Sequence, residues 1–318
     1  MAVSTSASSL APARLARFAW AVLAYNILVV VWGAYVRASG SGAGCGSHWP
    51  TCNGTVIPQA PSVKTLVEFG HRLTSGLALV SILALLVLVL RATGGLRAAT
   101  PDRAPFLAHP ARRTAWWSLV FVLLEAAIGA GLVLFEWVAG NKSHARGFAS
   151  GAHLINTFLL LGALALTAYY LEGGERRPLL RTRPGLVLLA TLGVFLTGAS
   201  GGIAALGDTL FPATSLAHGF AQDTSTTAHI FLKLRVLHPI FALATAATLL
   251  TAARALRGPH AFTLGVLVCC QAAVGFFNLF LLAPVPVQLV HLALADATWI
   301  AFVLVVASHR DVAASQAP

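Results

Sequence analysis

The chain has 318 residues, of which 57% are hydrophobic and only 10% are charged. Its mean hydropathy is +0.79. A soluble protein of this length needs more charged residues to cover its surface, so the composition excludes that class. The formal net charge of +11 does not indicate nucleic-acid binding, because in a membrane protein an excess of Lys and Arg marks the loops that stay inside the cell.

Apolar runs long enough to cross a hydrocarbon core of ~30 Å recur along the sequence. Such spans fold as helices, because backbone groups in lipid must form their hydrogen bonds within the same segment. We therefore predict an all-α, multi-pass membrane protein with eight transmembrane helices. The predicted spans cover residues 17–38, 65–90, 115–138, 148–171, 184–206, 228–252, 261–283 and 286–308.

The distribution of loop charge predicts the orientation in the plasma membrane. Most Lys and Arg residues fall on the side that holds the two termini, so the positive-inside rule places both termini in the cytoplasm. The connections after the odd-numbered spans then face outward. The apolar run 18–36 is longer than the core of a signal peptide and no small-residue cleavage site follows it, so we expect a retained first span.

Short matches suggest that the chain repeats. The sequence EAAIG, which starts at Glu125 in span 3, resembles QAAVG, which starts at Gln271 in span 7. A His-Leu pair opens the polar part of span 4, at His153, and of span 8, at His291. Matches this short also arise from apolar composition alone. The hypothesis is two similar four-helix bundles, formed by residues 1–175 and 176–318.

The connection after span 1 is rich in Gly and Pro, which indicates a compact structured loop. It holds Cys45 and Cys52. Disulfides persist on the predicted outer side, so a bridge between them is the preferred interpretation, while free thiols or a redox-active pair are alternatives. Cys269 and Cys270 in span 7 point in different directions on a helix, and we expect them to be small packing residues.

Four of the eleven histidines lie inside spans, namely His71, His153, His238 and His291. A lone histidine in a membrane helix usually forms a hydrogen bond with a neighbour. Here all four occupy even-numbered spans near the outer end, two in each half, which is the arrangement of axial ligands to flat macrocycles held between helices. A proton relay would need carboxylates staggered across the membrane, whereas the inner halves of the spans are almost wholly apolar. The pattern therefore predicts bound haem.

Basic residues accompany the histidines. A haem carries two propionates, and the planar fork of Arg suits carboxylates, so Arg72 and Arg235 are candidate propionate partners. Contact with lipid headgroups is the alternative. Further cations in the adjoining loops are Arg37, Lys64, Lys142, Arg146 and Lys233.

Two glutamates lie close to the candidate ligands. Glu68 precedes His71 by three residues and shares its helical face. We predict that it accepts a proton beside a haem edge, with a first-turn acid favoured by the helix dipole as the alternative. Glu125 lies deep in span 3, where a carboxylate is costly, and the sequence assigns it no role.

Over nearly its whole length the chain resembles the haem A synthase family. The resemblance rests on the run GAYVRASGSGAGCGSHWPTCNGTVIP, on EFGHR after it, and on the later elements HLIN, RVLHP and HLALAD. The Cys-Gly-x-x-Trp-Pro-x-Cys loop followed by Glu-x-x-His-Arg is highly specific. The resemblance implies eight transmembrane helices in two similar four-helix halves. It also implies oxidation of the C8 methyl group of haem O to the formyl group of haem A, through two hydroxylations and loss of water.

The resemblance also implies roles for individual residues. His238 and His291 would hold a haem b cofactor, and His71 and His153 would form the substrate haem site. Glu68 matches an acidic residue implicated in catalysis. The two cysteines of the first outer loop match a pair that can form a disulfide. Haem O synthase is the implied partner, together with an electron acceptor that the sequence does not identify.

One feature departs from the family. Some members carry a second cysteine pair in the loop that matches residues 207–227, and this loop has none. We expect the missing pair to be a dispensable brace. A metal cofactor remains necessary, because no side chain in the sequence can attack an unactivated methyl group.

Two other classes of function compete with this interpretation. The first is a dihaem b-type membrane electron carrier, linked to quinol, in which all four histidines bind permanent haems. The second is a transporter built on repeats, which predicts a polar path at the midplane. For such a path the sequence offers little beyond Glu125, Gln271 and Asn278.

Overall fold

The computed structural model describes residues 7–93, 109–175, 183–256 and 258–309, with side chains from residue 13 onward. The described residues form ten helices and no strand. The Arg-rich segment 172–183 would link the two predicted halves, and its residues 176–182 lie outside the described part. The helices are α1 (Ala7–Ala38), α2 (Val63–Ala92), α3 (Pro110–Leu134), α4 (His144–Leu171), α5 (Pro184–Leu210), α6 (Leu216–Thr224), α7 (Ile230–Arg235), α8 (Leu237–Leu256), α9 (Ala261–Phe280) and α10 (Val285–Ser308).

Eight stretches of these helices are long and apolar enough to cross a membrane. Residues Ala13–Ala38 of α1 form the first, and Ile230–Leu256, which joins α7 to α8, forms the sixth. The prediction of an all-α, multi-pass membrane protein with eight spans is therefore confirmed. We call the end of the bundle that carries the connection between α1 and α2 the disulfide end.

Serine side chains define several helix starts at the disulfide end. Ser62 accepts a hydrogen bond from the backbone N–H of Thr65, and Ser143 accepts one from that of Arg146. Such N-caps satisfy donors that have no partner within the helix. The short helix α6, which the hydropathy pattern did not predict, starts in the same way at Ser215.

The sixth span is not one continuous helix. It breaks at Val236, between α7 and α8, directly before His238. Pro239 accounts for the break, because proline lacks an N–H donor and its ring clashes with the carbonyl group four residues earlier. The break therefore occurs beside a candidate ligand.

Helix α4 lies at the centre of the described structure. It packs against α1, α3, α5 and α10, and more of its span is buried than of any other described span. Helix α10 also contacts α1 and α9. The four helices α1–α4, which we call the first half, thus meet α5–α10, the second half, through α4 and α10. That the halves are two similar bundles remains a prediction.

Aromatic rings fill the junction of α4, α5 and α10. The indole N–H of Trp299 donates a 2.6 Å hydrogen bond to the carbonyl oxygen of Phe158, and Phe195 packs against both rings. Gly198 provides the space, since a Cβ atom at this position would lie 2.5 Å from Cε2 of Phe158. The two halves therefore approach closely here because one residue has no side chain.

We predict that Gly198→Val destabilises the protein by about 1–3 kcal/mol, the usual cost of forcing extra atoms into a packed core. The melting temperature in detergent, followed by size-exclusion fluorescence, measures the effect. The matched control is Gly265→Val in α9, where a Cβ atom meets nothing within 4 Å. Equal melting temperatures for the two variants would contradict the packing.

Candidate functional site

All four span histidines line one cavity of about 1520 Å³. Pockets for single small ligands usually measure about 300–1,000 Å³, so this space suits more than one large ligand. Most of its lining is apolar, and the charged residues that line it lie on α1–α5 and α7 and in the loop helix α6. The structure therefore brings together the four histidines that the sequence singled out.

Three of the histidine rings lie against a glycine of a neighbouring helix. A Cβ atom added to Gly33, Gly201 or Gly275 would lie 2.9, 2.9 or 3.0 Å from Cε1 of His71, His238 or His291, respectively. Any larger residue would collide with the imidazole. The sequence patterns did not single out these glycines, although each lies in the odd-numbered span before the histidine that it contacts.

The second-half histidines have the separation that a shared metal requires. The ring centroids of His238 and His291 are 6.3 Å apart, with the ring planes at 90°. Two metal–nitrogen bonds of about 2 Å plus half of each ring span roughly this distance. The Nδ1 atom of His238 lies 3.2 Å from the carbonyl oxygen of Thr197, which can only accept, so this nitrogen is the donor and Nε2 keeps its lone pair. The pair therefore fits axial ligation of a haem.

In the first half, Glu125 orients one of the ligand candidates. Its Oε2 atom lies 2.6 Å from Nδ1 of His153. Its Oε1 atom accepts hydrogen bonds from Asn156 at 2.8 Å and from Thr157 at 3.1 Å. The carboxylate is thus satisfied within the membrane, and Nε2 of His153 faces away from it with a free lone pair. The sequence assigned Glu125 no role, because its partners lie on another helix.

The equivalent position in the second half carries an amide. Gln271 aligns with Glu125 in the repeated sequence, and its Nε2 atom lies 3.4 Å from Nε2 of His291. The glycine relation differs as well, since a Cβ atom added to Gly129 would meet nothing within 4 Å, whereas one on Gly275 would meet His291. The two halves therefore share the histidine frame and differ in the charge beside it.

Glu68 and Arg72 connect the cavity to the loop after α1. Cys45 and Cys52 form a disulfide in this loop. Glu68 is buried; its Oε1 atom lies 2.5 Å from Arg72, and its Oε2 atom accepts a 2.8 Å hydrogen bond from the backbone N–H of Cys45.

Arg72 also donates to the carbonyl oxygens of His48 and Thr51, at 2.7 and 2.6 Å. Its guanidinium group therefore holds the loop against α2 as well as facing the cavity.

Arg235 binds two aspartates. Its Nη1 atom lies 2.7 Å from Asp208, and its Nη2 atom lies 2.6 Å from Asp223 in α6. The sequence patterns singled out neither aspartate. A signal that could have found them is that they are acidic residues in the segment 207–227, which is otherwise poor in charge. The charge of Arg235 is therefore already neutralised by carboxylates of this chain. Its predicted role as a propionate partner stays a prediction.

Several other predicted residues lie outside this constellation. The Nζ atom of Lys142 lies over the ring of Phe211, and Lys233 donates to the carbonyl oxygen of Thr226. Lys64 is exposed. The prediction that Cys269 and Cys270 are packing residues is wrong, because both are exposed on α9.

The structure also reveals a buried acid that the sequence patterns did not mark. Asp296 in α10 is fully buried, and both of its carboxylate oxygens lack a hydrogen-bond partner among the described residues. It belongs to the HLALAD element, five residues after His291. The spans are therefore less uniformly apolar away from the disulfide end than their sequence suggested.

Comparisons with known proteins identify the family of the chain. The COX15-CtaA family, described as cytochrome oxidase assembly protein, matches residues 16–303. A protein of Thermus thermophilus named protoheme IX farnesyltransferase is 44% identical over 307 residues, which cover 93% of this chain and 48% of that protein. The chain thus spans about half the length of this relative.

Proteins named haem A synthase match over shorter stretches. That of Halalkalibacterium halodurans is 30% identical over 155 residues, or 48% of this chain and 45% of the relative. That of Symbiobacterium thermophilum is 39% identical over 111 residues, or 35% of this chain and 32% of the relative. Since the family match runs from the first span to the last, the chain belongs to the COX15-CtaA family of cytochrome oxidase assembly proteins.

Proposed function

We propose that the chain is a haem A synthase, which oxidises the C8 methyl group of haem O to a formyl group by two successive hydroxylations and loss of water. One observation carries the proposal. Two pairs of histidines line one membrane cavity, and the first-half pair has Glu125 beside it where the second-half pair has Gln271. Relatives named haem A synthase support the choice of reaction.

The residues suggest a division of labour between the halves. His238 and His291 would hold a haem b, which supplies one-electron chemistry that no side chain provides. His71 and His153 would bind the iron of the substrate, haem O. Glu125 keeps the His153 ring in place through Nδ1. Glu68, which lines the cavity three residues before His71, would accept a proton on its carboxylate during hydroxylation.

The Thermus relative suggests the source of the substrate. Its name refers to farnesyl transfer to protohaem, and about half of its length has no counterpart in this chain. We assign farnesyl transfer to that other half and propose that a haem O synthase hands its product to the present chain. We also place the protein in the plasma membrane with both termini in the cytoplasm, since the basic loops lie on that side.

The direct test is to express the chain together with a haem O synthase in cells that make no haem A, and to identify the extracted haems by mass. We expect haem A in the extract and haem b bound to the purified protein. His153→Ala is the control without conversion. Two molecules of haem b per chain and no haem A would instead support the dihaem electron carrier.

Substitutions of the histidines in each half can show which haem each pair binds. We expect His238→Ala and His291→Ala to lose haem b, because each removes one of two ligands, whereas His71→Ala and His153→Ala retain it and lose the substrate haem. Pyridine haemochrome spectra per mole of protein measure both. The control is His260→Ala at the start of α9, whose side chain forms no capping hydrogen bond. An unchanged spectrum for His238→Ala would remove the cofactor assignment.

Glu68 can be tested for a role beyond structure. Glu68→Gln keeps an oxygen that accepts the hydrogen bond from Cys45 but removes the charge, whereas Glu68→Ala removes both. We expect both variants to retain haem b and to convert haem O at least about 100-fold more slowly, the usual contribution of general base catalysis. Only Glu68→Ala should expose the disulfide to faster reduction and alkylation. Normal haem A output from Glu68→Gln would exclude proton acceptance.

A further inference from the structure

Two arginines in the cavity wall, one buried and one partly exposed, have no carboxylate partner among the described residues. Arg37 in α1 and Arg146 in α4 both line the cavity, and neither lies within 4.0 Å of an acidic side chain of the described residues. Arg72 and Arg235, in contrast, are neutralised by carboxylates of the chain. Burying a charge without an opposite charge beside it is costly, so Arg146 and its neighbour Arg37 favour an anion from elsewhere.

Arg146 presents an unused fork to the cavity. The residue is only 3% exposed. Its Nη1 atom donates to the carbonyl oxygens of Ala139 and Asn141, both at 2.6 Å. Its Nε and Nη2 groups donate to none of the described residues. This free edge of a guanidinium group is the geometry that binds a carboxylate with two parallel hydrogen bonds.

Arg37 reaches across the junction of the halves. Its Nη1 atom donates to the carbonyl oxygen of Ala205 and to Thr209, both at 2.8 Å, and its Nη2 atom donates to Gln288 at 2.9 Å. All of these acceptors are neutral. Arg37 and Arg146 are close enough for their positive charges to repel. The nearby carboxylate of Asp208 is already bound to Arg235.

The spacing along the helices relates both cations to the first-half histidines. Arg146 precedes His153 by seven residues, which is two turns on one face and about 10.5 Å along the axis. Arg37 follows Gly33, against which His71 packs, by one turn in the direction of the disulfide end. Both guanidinium groups therefore lie on the disulfide side of the histidine level, at a distance comparable with the radius of a haem including its propionate arms.

We infer that Arg37 and Arg146 bind the propionates of the substrate haem and thereby set its orientation in the first half. This inference rests on the proposed function for the identity of the haem. The C8 methyl group and one propionate are substituents of the same pyrrole ring. Fixing the propionates toward the disulfide end therefore keeps this methyl group in the part of the macrocycle nearer that end, the direction in which Glu68 precedes His71 on α2.

The test compares haem O with its dimethyl ester, in which the propionates carry no charge. Purified protein that holds haem b, prepared from cells without haem O, is titrated with each compound, and binding is followed by the Soret difference spectrum. We expect wild-type protein to bind the free acid at least about tenfold more tightly than the diester, because hydrogen bonds between charged groups contribute on this scale. Equal affinities would overturn the inference.

Variants show which residues cause the preference for the free acid over the diester. Arg146→Gln should weaken binding of the free acid by about the same factor and leave binding of the diester unchanged. The ratio of the two affinities then approaches one. Arg146→Lys should restore part of the preference for the free acid. Arg37→Gln should lower the ratio likewise. Lys64→Gln, which removes an exposed cation near the same end, should keep the wild-type ratio. A wild-type ratio of the two affinities in Arg146→Gln would overturn the assignment of Arg146 to a propionate. Because binding is read without turnover, failure of haem A formation would be a separate result.

Discussion

An imidazole that binds a metal inside a membrane must satisfy two demands with two nitrogen atoms. One nitrogen keeps its lone pair for the metal, and the other must donate to a partner in a medium that offers no water. His238 meets the second demand through the carbonyl oxygen of Thr197. The Nδ1 atom of His153 lies 2.6 Å from the carboxylate of Glu125, whereas the Nδ1 atoms of His71 and His291 have no hydrogen-bond partner among the described residues. Steric room is a separate requirement, which glycines on neighbouring helices meet for the rings of His71, His238 and His291.

The hydropathy pattern was sufficient to predict the eight spans, because each span is read from its own stretch of sequence. The four histidines that line the cavity could be picked out in the same way, as polar residues within single apolar runs. The pair Glu68–Arg72 was also within reach, because residues four apart share a helical face. The partners of Glu125 were not, since Asn156 and His153 lie on α4 while Glu125 lies on α3. The same limit applies to Arg235, whose two aspartates come from the end of α5 and from a short helix that no apolar pattern marks.

Matching sequence positions in the two halves carry different charges. Counted from the ligand histidines, Glu68 in α2 corresponds to Arg235 in α7, three residues before His71 and His238, respectively. Glu125 likewise corresponds to Gln271. The contacts differ as well, since Glu125 faces Nδ1 of His153 and Gln271 faces Nε2 of His291. Under the proposed function, these differences would adapt the first-half site to hydroxylation and leave the second-half site to electron transfer.

The connections over the two sites are fastened by different means. In the first half a disulfide closes the loop after α1. Glu68 and Arg72 of α2 form hydrogen bonds with the backbone of that loop. In the second half the corresponding segment contains no cysteine and instead forms α6, which Arg235 ties down through Asp223 while also binding Asp208. Two charge-assisted bonds to one guanidinium group fix the segment without a covalent link. The absence of a second cysteine pair therefore does not leave this segment without an anchor, because Arg235 holds it through ion pairs.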